Sequence, residues 1–305
     1  HRQAYAQWER GEISSEEFER VQDEVTREAI EEQVRAGLDV VTDGQVRWYD
    51  PVSHFTRKLG GCEIDGLLRF FDTNSYFRQP VVVGEVRWLE PVIKREFLFA
   101  KKISSAPVKP VMTGPYTLAK LSINRRGLGL AELVHEFAGA ISQEVSELAK
   151  VGAKLIQIDE PAILKNQNEF GLLKSALEEV AASKGKTKLA LYTYFGDAAP
   201  LYGKLVRLPI DVVGFDFTYS PGLPKVIARL GCEKELGLGL IDGRNTKLES
   251  EREVIEVLKL IAPNIGSKRL YLNPSCGLAE YLPREVAFRK LQNMVAIARK
   301  ARELI

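Results

Sequence analysis

Phe18, Val21, Val25, Ala29 and Val34 recur close to the 3.6-residue period of one helix face. Ser14, followed three residues later by Glu17, has the form of a capping box, and Gly37 suits the stop. The spacing therefore predicts a helix over about 14–37. Downstream, short apolar runs end at turn residues. "LDVVTDG", "PVKPVMTGP", "KLIQIDEP", "KLALYTYFGD", "IDVVGFDFTYSP", "LGLGLIDGRN" and "RLYLNPSCG" each read as a strand buried on both faces. Helical periodicity separates them: "LAELVHEFAGAISQEVSELAKVG", then 172–183, 223–230, 251–261 and 284–302.

Strands alternating with helices specify a parallel sheet covered by helices. The expected fold is α/β, a (β/α)₈ barrel forming one domain over 1–305, with an excursion at about 46–106 that contains a hairpin. Seven strands are read where such a barrel needs eight. The eighth is expected upstream of His1, which is no natural start and suggests a processed or incompletely observed chain. An open doubly wound sheet is the competing architecture, and no Gly-rich dinucleotide fingerprint supports it.

The 305 residues, 45% of them hydrophobic, suffice for a large core. A formal net charge of +2, from 43 basic and 41 acidic residues, gives no case for nucleic acid or an anionic membrane as partner. No apolar run approaches the roughly 18 residues of a membrane span. Cys62, Cys232 and Cys276 are too widely spaced for a disulfide framework, so a reducing cytoplasm is expected.

Chemistry gathers at the strand ends: Asp43-Gly44, Thr113-Gly114-Pro115, Asp159-Glu160-Pro161, Thr193-Tyr194, Asp216, Asp242-Gly243-Arg244, and Asn273 leading to Cys276. In a barrel these ends converge on the face where active sites form. A single acid there is commonly only a helix cap. Acids at four of the seven ends suit a cationic group, a metal or proton transfer. Asp159 and Glu160 should diverge, because side chains alternate along a strand. One then serves the mouth while the other anchors a loop. His135 reads as a surface helix residue, and His54 lies in the excursion within reach of the barrel top. Arg47, Trp48, Tyr49 and Arg78 offer cations and aromatic surface for a flat or anionic ligand, or simple packing of the excursion.

"QIDEPA", "GPYTLAKLS", "FFDTN", "LYTYFGD", "LGLGLIDGRN" and "NPSCGL" together resemble the cobalamin-independent methionine synthase family, over nearly the whole chain. The resemblance implies a (β/α)₈ barrel and methyl transfer to homocysteine from a folate or a methylcorrinoid donor. It implies zinc, which turns the homocysteine thiol into the thiolate nucleophile. Full-length members pair a zinc-bearing barrel with a zinc-free N-terminal one, and single-barrel members exist.

Carried over residue by residue, the last zinc ligand falls on Cys276 and the glutamate ligand on Asp216. The His-x-Cys pair falls on Tyr194 and Gly196, and a catalytic histidine on Arg244. Asp159 matches the carboxylate that contacts the amino group of homocysteine. "TYFGD", "FFDTN" and "DGRN" resemble the zinc-free barrel. The expected substrate site is thus Asp159, Asp43, Asp242, Arg244 and Tyr194, with Cys276 and Asp216 an incomplete metal site and no tightly bound zinc. Two functions follow. One is methyl transfer to homocysteine, alone or with a second zinc-bearing barrel or a corrinoid protein. The other is a non-catalytic subunit that binds the methyl donor.

Overall fold

Each barrel strand buries one row of side chains under helices and turns the other row inward. Ile156 and Ile158 lie in the apolar core, while Gln157 and Asp159 face an internal cavity. The structure, a computed structural model, describes residues 2–267, 269–278 and 282–304; His1 lies outside them. Its strands are β1 (Leu59–Arg69), β2 (Tyr76–Trp88), β3 (Val111–Thr113), β4 (Ile123–Asn124), β5 (Leu155–Asp159), β6 (Lys188–Thr193), β7 (Val212–Asp216), β8 (Glu235–Ile241) and β9 (Leu270–Pro274). The main sheet is parallel, in the order β3-β5-β6-β7-β8-β9. Neighbours in space follow one another in sequence without reversal. That is barrel winding, since a doubly wound sheet would reverse at a switch point.

"LDVVTDG" contributes less than a strand. Val41 bridges Val108 in parallel, its N–H donating to Pro107 and its carbonyl accepting from Lys109. The pairing stops there because Gln33 takes over the next residue. Its side-chain amide accepts from the Thr42 N–H and donates to the Thr42 carbonyl, both at 2.9 Å. Among the described residues the sheet therefore has six strands and one bridge, and none pairs between β9 and the Val41 segment.

The helix Ser15–Ala36 has the expected capping box, and Gly37 closes it in the left-handed region. The excursion is a short helix, Ser53–Thr56, then an antiparallel β1–β2 hairpin, then a helix, Lys94–Ile103. It is tied down by Glu144, fully buried on the helix Leu130–Lys150. Glu144 accepts from Trp88 Nε1 at 2.9 Å and from the Val92 and Ile93 N–H groups at 2.9 and 2.8 Å.

Candidate functional site

β5 ends in the two acids that open the question of function, and they part as alternation requires. Glu160 turns away from the mouth and is fully buried. It accepts from the backbone N–H groups of Tyr116 (2.9 Å) and Thr117 (2.7 Å) and from the Thr117 hydroxyl (2.6 Å). It is the anchor of the helix Pro115–Leu121. Gly114 is required beside it, because a Cβ there would strike the carboxylate. Burial still pushes the Glu160 carboxyl up, to about 7.

Asp159 faces the other way, into a cavity of about 1940 Å³ that begins at the barrel mouth. The cavity runs on between β9 and the Val41 segment, against the helices Ser15–Ala36 and Arg284–Leu304. Asp159 Oδ1 accepts from Gln157 Nε2 at 2.7 Å, and Oδ2 accepts from the Tyr194 hydroxyl at 3.2 Å. Burial pushes this carboxyl up to about 6, against those hydrogen bonds and the nearby Lys109 charge. Lys109 is the residue that sequence reading missed. Its Nζ donates to Gln157 Oε1 and sits 4.9 Å from the centre of the Tyr192 ring. The signal was parity: Lys109 and Val111 alternate in step, and Val111 pairs across from Gln157.

Asp43 is not part of the cavity wall. It is buried under the excursion, where Oδ1 accepts from the Gln45 backbone N–H (3.3 Å) and Nε2 (2.9 Å). Burial, and then the Glu96 charge, push it up to about 6. His54 joins this group rather than the mouth, with Nε2 2.9 Å from Glu96 Oε1 and its ring stacked on Trp48. His135 is exposed, between Glu179 at 3.1 Å and Ser175 at 3.3 Å.

Asp242, Arg244 and Asp216 form a second group on the rim, and none of them lines the cavity. Asp242 accepts from the Arg244 N–H at 2.9 Å and from the Asn245 side chain. The Arg244 guanidinium lies 4.3 Å over the Tyr219 ring and donates to the Thr218 hydroxyl at 3.0 Å. Asp216 is turned into its own loop. Oδ1 accepts from Thr218 N (2.8 Å), Thr218 Oγ1 (2.5 Å) and Tyr219 N (3.3 Å), and Oδ2 accepts from Phe195 N (3.3 Å). Cys276 does line the cavity; burial pushes its thiol up to about 12.

The zinc that the family resemblance implies does not fit these residues. Zinc takes about four ligands, and two rarely hold it against water. Asp216 already serves four donors, and the Tyr194 hydroxyl is turned to Asp159. Gly196 has no side chain, and a Cβ there would come within 2.8 Å of Leu164. Among the described residues no group of three or more His, Cys, Asp and Glu is arranged to hold a metal ion.

Aromatic groups crowd the same rim. Phe70, Phe71, Tyr194, Phe195 and Tyr219 form a connected set of tilted and edge-to-face pairs. Three non-glycine residues among those described have positive φ: Gln45, Phe71 and Phe195. Two belong to this aromatic set, and Gln45 and Phe195 line the cavity. Left-handed backbone at such residues costs of order 1–3 kcal/mol and gathers at functional sites. Arg57 stacks 3.6 Å over Tyr49, and Arg78 lies 5.8 Å from the same ring.

The fold and rim define an α/β barrel with its polar chemistry at the carboxyl ends of the strands. The chain belongs to the cobalamin-independent synthase family, whose catalytic-domain model matches residues 1–300. It is 35% identical over 299 residues to a methionine synthase of Sulfurisphaera tokodaii, covering 96% of this chain and 86% of that protein. It is 33% identical over 298 residues to a methionine synthase of Saccharolobus solfataricus, covering 96% and 88%. A B12-independent methionine synthase from Shewanella sp. W3-18-1, solved with selenomethionine, shares the fold. Its TM-score is 0.84 at 24% identity, covering 95% of this chain and 90% of that one. No helix among the described residues is long and apolar enough to cross a membrane.

Proposed function

We propose that the chain acts in methionine synthesis and holds homocysteine, or methionine as product, with the ammonium group on Asp159. The observation that carries this reading is a buried carboxylate that faces a cavity at a strand end. Among the described residues each of its oxygens accepts one protein donor, so lone pairs remain for a ligand. The methyl donor, a folate or a methylcorrinoid, would enter over the aromatic and cationic rim of Phe70, Tyr49 and Arg78. The methyl group bonds to sulfur, the thiol proton leaves, and the donor departs without its methyl group. The thiol must first become a thiolate. With Tyr194 and Gly196 where the family has ligands, we assign that activation to a second, zinc-bearing barrel protein. A corrinoid protein is the further partner if the donor is a methylcorrinoid.

The experiment is an assay of the purified chain with homocysteine, zinc and each donor, with and without a zinc-bearing barrel of the family. Methionine formed only in the mixture supports the proposal. The Tyr194 and Gly196 substitutions also favour a second reading, a subunit that binds the donor and no amino acid. Asp159→Asn separates the two. It should weaken methionine or homocysteine binding by about 1.5–3 kcal/mol, the range for a hydrogen bond to a charged group. Calorimetric titration of both proteins checks it. No binding by either favours the donor-binding subunit, and equal binding removes Asp159 from the site.

A further inference from the structure

We infer that Lys109, acting through Gln157, is a positioning residue that fixes the aim and charge of the Asp159 carboxylate; this rests on reading Asp159 as the amino-group site. The argument begins with the sheet register. β3 pairs Val111 with Gln157 and Thr113 with Asp159, so Lys109, two residues before Val111, enters the barrel one layer below Gln157 and two below the acid. Lysine has only donors and a carboxylate only acceptors. The amide between them has one orientation that satisfies both. Oε1 accepts from Lys109 Nζ, and Nε2 donates to Asp159 Oδ1 at 2.7 Å. A flipped amide would set its NH₂ against the ammonium and its oxygen against the carboxylate.

The spacer matters. A lysine in direct contact would occupy the carboxylate and compete with an incoming ammonium. Behind an amide, the charge stabilises ionised Asp159 and leaves its cavity side open. The relay is itself held in place. Lys109 lies against the Tyr192 ring, which fits over Gly214 and Gly237, where any Cβ would strike it. The Tyr192 hydroxyl reaches Asn273 Oδ1 at 3.4 Å. The other titratable groups beside Asp159 are Tyr194, which donates to Oδ2, the neighbouring carboxylate Glu160, and Tyr192, whose phenol burial and then the Asp159 charge push up. Burial lowers Lys109 to about 8 and raises Asp159 to about 6. Each charge opposes the effect of burial on the other.

Two measurements test this, on the full chain. The first follows the Asp159 carboxyl by carbon NMR in the free protein, assigned with Asp159→Asn. The Lys109→Met variant should move the titration midpoint upward by about one pH unit, the low end of the effect of a nearby opposite charge. Gln157→Leu, which keeps both charges but cuts the relay, should move it in the same direction. Lys109→Arg should restore most of the wild-type value. An unchanged midpoint in the Met and Leu variants overturns the inference. The second titrates methionine across the same pH range. The rise in affinity with pH should be displaced upward in Lys109→Met, giving about a fivefold loss at the wild-type midpoint. If the midpoint moves but no protein binds methionine, the relay stands and the reading of Asp159 fails. If wild type binds through Asp159 and the midpoint stays, the relay fails alone. Should Lys109→Met not fold, Gln157→Leu carries both arms.

Discussion

Asp159 and Asp43 end comparable apolar runs, yet their surroundings give them different work. Asp159 has a cavity on one side and donors on the other. Its ionised form is the one that attracts an ammonium, and its carboxyl titrates at about 6. Affinity for methionine should therefore rise as pH climbs through that value and stay flat in Asp159→Asn, as calorimetry at several pH values would show. Asp43 has no cavity, and its raised pKa is a stability statement. An unfolded aspartate titrates near 3.9. Between there and about 6 the folded chain holds the extra proton, so stability falls as pH rises through that window. Asp43→Asn cannot ionise and keeps an acceptor for Gln45. It should match wild type at low pH and exceed it by roughly 1–3 kcal/mol at neutral pH, measured by urea unfolding at both. That strand ends carry acids was legible in the sequence. That Asp43 turns under the excursion was not, because Glu96 and His54 arrive there only through tertiary packing.

Elements show the same division. The capping box at Ser14 and the hairpin at β1–β2 follow from local rules, and both are present. The loss of the first strand to a single bridge follows from Gln33, a helix residue whose amide takes the Thr42 backbone. No periodicity announces that. Nor does the pattern reveal how the last helix is fixed. Lys290, fully buried on the helix Arg284–Leu304, pairs with Glu249 at 2.6 Å, and Glu249 also accepts from the Asp242 N–H at 3.0 Å. Removing one partner of a buried pair strands the other charge. Lys290→Met should cost about 3–5 kcal/mol. Denaturant titration gives the loss, and hydrogen exchange should quicken around Asp242. A change within experimental error would mean that water reaches Glu249.

At the scale of the whole molecule, the barrel turns the Asp159 carboxylate to its cavity while the residues at the family's metal-ligand positions are dispersed. Cys276 lines the cavity, and Asp216 does not. Asp216 is bound into its own loop, Tyr194 serves Asp159, and Gly196 is held against Leu164 by packing. Moving Asp216 toward a metal would strip acceptors from the Thr218, Tyr219 and Phe195 N–H groups. Of these residues Phe195 is buried, and leaving its N–H without an acceptor would cost about 1–3 kcal/mol. A zinc ion held by Cys276 with water in the remaining positions would not repay that. The expected outcome is substoichiometric zinc in the purified chain by elemental analysis, with no change in melting temperature on adding a strong chelator. Removing a structural zinc would instead unfold or soften the protein, because metal binding and folding share one free energy. Equimolar zinc that disappears in Cys276→Ala would overturn the expectation. It would also return thiol activation to this chain, leaving methyl transfer without need of a second barrel.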